Sequence, residues 1–131
     1  MVRLDDIVGF EVKDIGRCLN ILWIDFTHNQ IDYSLHIQCA WRLSENTSIR
    51  LSNIDLYEED GKRFDLERKK LHINKVTRVE ISEYNDIKLE IDDNIYLDIF
   101  VNDYDECWRF FKKGNIELEH FVVYANKANY E

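Results

Sequence analysis

The chain has 131 residues, 17 of them basic and 26 acidic, for a formal net charge of −9. That length suits one domain, 1–131, burying roughly two-thirds of its unfolded surface without disulfide or metal staples. An acidic surface repels phosphate backbones, which argues against nucleic acid as a partner.

The three cysteines, Cys18, Cys39 and Cys107, are odd in number and show no CxxC spacing, so neither a disulfide framework nor a zinc site is expected. Cys39 and Cys107 fall on faces read as buried, where a free thiol behaves as a small apolar group. The opening stretch MVRLDDIVGF interrupts its apolar run with two aspartates. No signal peptide or membrane span is read there, and a cytoplasmic location is expected. Proline is absent and glycines number four, so turns must be made by Asp, Asn and Gly.

In chain order, GFEVKDIG and RCLNILWIDF suggest two strands with a turn near Asp14–Gly16. Trp23 sits in a segment apolar on both faces, which reads as a central strand covered on both sides, by the helix and by the curvature of the sheet. Residues 31–43 alternate almost without fault, with Ile31, Tyr33, Leu35, Ile37, Cys39, Trp41 and Leu43 on one face. A three-residue loop at Ser44–Asn46 sets Trp41 opposite Ile49 and Cys39 opposite Leu51, since a slip by one residue would mix the faces. The alternation slips at Asn53 and Ile54, where a bulge is expected, with Leu56 continuing the apolar face. Asp60-Gly61 marks a turn, and FDLERKKL can form a helical turn.

VTRVEISEY reads as a strand, followed by a hairpin in which a loop at Asp92–Asn94 pairs Ile91 with Ile95, Leu89 with Leu97 and Ile87 with Ile99. That register sets Lys88 across from Asp98, a favourable pair. Over 103–114 the period changes: Tyr104, Cys107, Trp108 and Phe111 share one helical stripe, Asp103 and Glu106 form a capping box, and Gly114 ends the element. EHFVVYA reads as a last strand and NKANYE as a frayed tail. The fold class is therefore α+β: a mainly antiparallel, curved sheet or half-barrel of about seven or eight strands, with one short helix in the C-terminal half.

The opposite face of 31–43 carries His36, Gln38 and Arg42, to which the partner strand adds Arg50. Two guanidiniums, an imidazole and an amide could hold an anion or carboxylate; the plainer alternative is a solvated outer face. Asp32, Ser34 and His36 stand parallel on one strand about 6.6–6.8 Å apart at each step, which does not make a relay. Cys39 points away from His36, and no catalytic residue is assigned. His28, His36, His72 and His120 lack HxH or HxxxH spacing, and DYDECW lacks the glycine and closing glutamate of a calcium loop. No glycine-rich phosphate loop is present, so no metal or cofactor is expected. Trp41 and Trp108 read as core, one from the strand and one from the helix, and an aromatic-lined pocket is the less favoured use of such rings.

The runs LHIQCAWRL, IRLSNIDLY, IKLEI, CWRFF and HFVVYA resemble those of small, single-domain, uncharacterised bacterial proteins; this resemblance supplies no catalytic residues. In size and acidity the chain is also similar to the immunity proteins of bacterial toxin systems. That likeness implies a non-enzymatic, acidic module that blocks a basic protein partner by occupation. Its candidate contacts are the acidic turns at Glu58, Glu59 and Asp60 and at Asp92 and Asp93, with Asp103–Glu106 a further acidic stretch. The alternative is a small-molecule or anion binder using His36, Gln38, Arg42 and Arg50. The sequence leaves the oligomeric state open, because an exposed edge strand could pair two copies.

Overall fold

The structure, a computed structural model, describes residues 1–103, 105–114, 119–125 and 127–131. The described residues form, in chain order, β1 (Glu11–Cys18), β2 (Ile21–His28), β3 (Ile31–Ile37), β4 (Ala40–Glu45), β5 (Ser48–Ser52), α1 (Lys62–Arg68), β6 (Val76–Ile81), β7 (Ile87–Ile91), β8 (Ile95–Phe100), β9 (Trp108–Lys112), β10 (His120–Tyr124) and β11 (Lys127–Tyr130). One sheet has the order β1-β2-β3-β9-β10-β11, the other β5-β4-β8-β7-β6. Every pairing between named strands is antiparallel. The class is α+β, and no helix among the described residues is long and apolar enough to cross a membrane.

The alternating run of residues 31–43 is divided between the two sheets. β3 ends at Ile37, and the amides of Gln38 and Cys39 both donate to the carbonyl of Cys107, at 2.8 and 3.3 Å. The chain then enters β4 in the other sheet. The inward face survives the corner: Leu35, Ile37, Cys39, Trp41 and Leu43 are all buried. Both sheets line one apolar core, so period-two alternation continues although the backbone direction changes. Leu22, Ile24 and Phe26 of β2 and Phe110 of β9 meet Leu89, Leu97 and Ile99 of β7 and β8 in that core. Each such side chain contributes about 1.5–3 kcal/mol on burial.

The β7–β8 hairpin has the expected register, with Ile91 opposite Ile95, Leu89 opposite Leu97 and Ile87 opposite Ile99. Asp92 and Asp93 take left-handed conformations in its loop (φ 55° and 65°), and Lys88 lies 3.8 Å from Asp98.

Elsewhere the structure corrects the sequence reading. The β1–β2 turn falls at Leu19 and Asn20, while the Asp14–Gly16 region is strand with a register shift between Val12 and Asp14. Gly16 faces Trp23, which lies over it half-buried rather than beneath a helix. The β4–β5 turn is Asn46–Thr47 and not Ser44–Asn46. A register shift at Leu43/Ser44 then sets Leu43 opposite Leu51, and Trp41 pairs with Ile99 of β8. The expected bulge at Asn53–Ile54 is instead a 3-10 turn, Asn53–Leu56, which still buries Leu56.

The helix expected over 103–114 is absent, Tyr104 of that stretch lying outside the described residues. Trp108–Lys112 is β9, which inserts between β3 and β10 and bonds to both. Trp108 and Phe110 point into the core. Filling an open slot in a ladder outweighs a helical stripe of three or four residues, because each backbone group then finds a partner. Among the described residues the one α-helix is α1, which overlaps the segment read as a helical turn and begins two residues before it; its Phe64 is buried edge-on to Trp41 at 6.4 Å. Trp108 packs instead on Phe121, with centroids 5.4 Å apart. The tail is not frayed: Lys127–Tyr130 pairs with β10, Asn126 lying outside the described residues. Splitting 31–43 in two and adding β9 and β11 takes the strand count above seven or eight.

The close fit of Trp23 on Gly16 is testable. A Cβ at position 16 would stand 2.2 Å from Trp23 Cζ2, so Gly16→Ala is expected to cost about 1–3 kcal/mol by displacing the ring. Urea denaturation should show that cost shrinking in a Trp23→Ala background, where the obstruction is gone.

Candidate functional site

The four residues proposed to bind a ligand do not act together. His36 lies on the outer face of the six-stranded sheet, between Trp23 of β2 and Arg109 of β9. Gln38 sits at the corner and donates from Nε2 to Glu106 Oε2 at 3.2 Å. Arg42 belongs to the other sheet, pairing through Nε with Asp98 Oδ2 at 3.4 Å and lying over the Phe100 ring. Arg50 is held between Glu45 and Glu67. Both guanidiniums are already matched by carboxylates of the chain itself. The apolar cleft of about 320 Å³ between the open edges of the sheets, near Val79, Ile81, Phe121 and Tyr130, is lined by none of the four.

What surrounds His36 is a group the sequence reading missed. Arg109 donates from Nε and Nη2 to Glu106, at 2.9 and 2.6 Å, and its Nη1 lies 2.7 Å from His120 Nδ1. Phe111 is sandwiched between two imidazoles: His120 stacks on it at 4.3 Å, and His36 meets it edge-on at 5.0 Å. Because Arg109 can only donate, His120 accepts at Nδ1 and is neutral, its proton on Nε2. That Nε2 is buried with no hydrogen-bond partner among the described residues. Burial lowers the pKa of both histidines, and the Arg109 charge lowers His120 further. Hydrogen bonds from Arg109 hold Glu106 below the usual carboxylate range. The group joins β3, β9 and β10 across the sheet and leaves no free guanidinium. The 103–114 helix expectation hid it, since only a strand through Trp108–Lys112 brings Arg109 beside His36 and Phe111 beside His120.

Ser34 is buried and donates to Asp25 Oδ1 at 2.8 Å, so it is engaged away from His36.

The acidic turns differ from each other. Asp92 serves the fold: its two carboxylate oxygens accept the amides of Asn74 and Lys75 at 2.8 and 3.0 Å. Asp93, beside it, is exposed. The 58–60 turn is built from both sides. Upstream, Asp55 is buried, accepts the Ser52 amide at 2.8 Å and pairs with Arg63. Glu59, Asp60 and Gly61 then take three successive left-handed conformations (φ 49°, 52° and 76°) before α1 begins. Arg17 of β1 fastens the turn, donating to the Asp60 carbonyl at 2.6 Å and to both Asp65 oxygens. The side chains of Glu58, Glu59 and Asp60 are left exposed.

Large apolar side chains flank those acids. Ile54 is 55% and Tyr57 56% exposed. The sequence signal for this surface was present in SNIDLYEEDG, where Ile54 and Tyr57 flank the buried Leu56 and cannot share its face. Among the described residues no group of three or more His, Cys, Asp or Glu is arranged to hold a metal ion. Compared with family models, curated proteins and solved structures, the chain matches none.

Two expectations follow. Both histidines have lowered pKa values in the fold, so the unfolded chain binds more protons once the pH drops below about 6.5, the ordinary imidazole value. Their contribution is whole above that pH and is lost as the pH falls from there through their lowered folded-state pKa values. Unfolding free energies from urea titrations should decline across this window, and the decline should flatten in His36→Phe/His120→Phe. Separately, Asp92→Ala should cost about 1–2 kcal/mol, since it orphans two backbone amides; an exposed, purely solvating carboxylate would cost nothing measurable.

Proposed function

We propose that the chain is a non-enzymatic protein-binding module, of the immunity type, that blocks a basic partner by occupying it. One observation carries this reading. All eight arginines are matched to carboxylates of the chain itself, so the surplus of acid is displayed outward. Part of that surplus, Glu58, Glu59 and Asp60, stands on a fixed turn with Tyr57 and Ile54 exposed just before it.

Such a surface combines two requirements of specific association. Apolar and aromatic side chains supply the part of an interface that excludes water, with Tyr among the residues that dominate binding energy. Acidic neighbours steer a basic partner and reject acidic ones. The turn is already held by Arg17, so little ordering entropy remains to be lost on binding. Asp93 adds charge at a second, separate turn.

The test begins with the immobilised chain and lysate of the source cell, washed at low and high salt, with mass spectrometry of what is retained. A stoichiometric basic protein, released by high salt, is the expected result. Its association rate with the purified chain should fall at least tenfold between about 20 mM and 500 mM salt, as surface charges are screened. Replacing Glu58, Glu59 and Asp60 by lysine should slow association to a similar degree. A salt-independent on-rate would remove the electrostatic argument.

A further inference from the structure

Two of the three cysteines lie side by side where the chain changes sheets. Cys39 stands between β3 and β4, Cys107 directly before β9, and the Cys39 amide donates to the Cys107 carbonyl at 3.3 Å. A direct amide-to-carbonyl contact makes the two backbones neighbours, as a disulfide, with its Cα separation of about 4.4–6.8 Å, requires. The Cys107 thiol donates to the carbonyl oxygens of Asn102 and Asp105, at 3.6 Å each, and both cysteines are buried, at 6% and 1% exposure. Cys18 is exposed on β1. The pair is far apart in sequence, which is why odd number and spacing gave no sign of it.

We infer that Cys39 and Cys107 form an oxidative modification site, a reduced pair that hydrogen peroxide converts into a disulfide joining the two sheet crossings. The chemistry needs two steps. Peroxide oxidises one thiol to a sulfenic acid and releases water. The neighbouring thiol then attacks that sulfur, the S–O bond breaks, the thiol proton leaves with the hydroxyl as a second water, and the S–S bond forms. Each sulfur loses one electron, and the peroxide oxygens accept both.

The surroundings set the rate. Burial pushes the Cys39 thiol up to about 12, so thiolate is scarce and attack is slow. The bond therefore accumulates under sustained peroxide. Once formed, the same burial shields it from reducing thiols. A bridge here ties the β3–β4 corner to the β8–β9 connection and closes a long loop, which restricts the unfolded chain.

The experiment uses the full chain carrying Cys18→Ser, so that only this pair can link within one molecule. The folded, reduced variant is incubated with hydrogen peroxide at neutral pH, then unfolded and alkylated. The expected outcome is loss of both alkylatable thiols, a Cys39–Cys107 linked peptide by mass spectrometry, recovery of two thiols with dithiothreitol, and a Tm higher by roughly 10 °C. Two thiols still alkylatable, or sulfinic acid without a link, or a link that forms only in urea, would overturn the site. A linked chain that melts no higher would overturn its role in joining the crossings.

Discussion

The fold depends on one carbonyl. Cys107 O accepts the amides of both Gln38 and Cys39, so the point where the chain leaves the six-stranded sheet is bonded to the point where it returns. The Cys107 amide meanwhile donates to Val123 O at 2.7 Å, which attaches the same corner to β10. Without this junction the sheets would be joined on this side only by side-chain packing, which is strong but non-directional. With it, the crossing is set by hydrogen bonds whose geometry admits little variation. A second seam closes the other side: Gly9 N donates to Val76 O, and Val76 N to Phe10 O, at 2.8 and 2.9 Å. The core therefore lies between sheets held together near both β3–β4 and the start of β6.

Charge is organised around that frame. Arg17, Arg50, Arg63 and Arg68 reach from strands or α1 to carboxylates on other elements, and Arg109 of β9 links Glu106, in the connection before it, to His120 of β10. Individually such exposed pairs contribute little, about 0–1 kcal/mol. Collectively they settle where the free charge ends up, because each arginine is taken by a carboxylate that the fold brings near it. A chain with more acids than bases then has only acids left over. Arg42 and Arg50, two of the four residues of the anion-binding reading, are among the arginines so taken.

How far the sequence reported this depends on the distance over which each feature is decided. The β7–β8 hairpin was legible to the residue because Asp92–Asn94 and the apolar alternation on both arms demand one register. The burial of 35–43 was legible because alternation persists through a corner, but the corner itself was not: it arises from Cys107, far along the chain. The stretch CWRFF was misread for a related reason. Its stripe of Cys107, Trp108 and Phe111 fits a helix, and its alternation of Trp108 and Phe110 fits a strand. Only the vacancy between β3 and β10 decides between them. The group of Arg109, His120, Phe111 and His36 was lost with that misreading, whereas the turn and the exposure of Glu58, Glu59 and Asp60 were legible because turn acids announce themselves locally.

The 58–61 turn joins fold to function most directly. Left-handed backbone costs an ordinary L-residue roughly 1–2 kcal/mol, and Glu59 and Asp60 adopt it in succession ahead of Gly61. Glycine would relieve that strain at either position, yet would remove a carboxylate from the surface. Local strain of this kind persists where the surroundings over-determine it, and here they do: Asp55 and Leu56 are buried on one side, Phe64 on the other, and Arg17 bonds the Asp60 carbonyl between them. A turn needed only to connect β5 to α1 has no reason to hold acids in such a conformation. The role proposed for it supplies one, because charge on Glu58 and Glu59 that is already aimed would steer a partner without first having to be ordered.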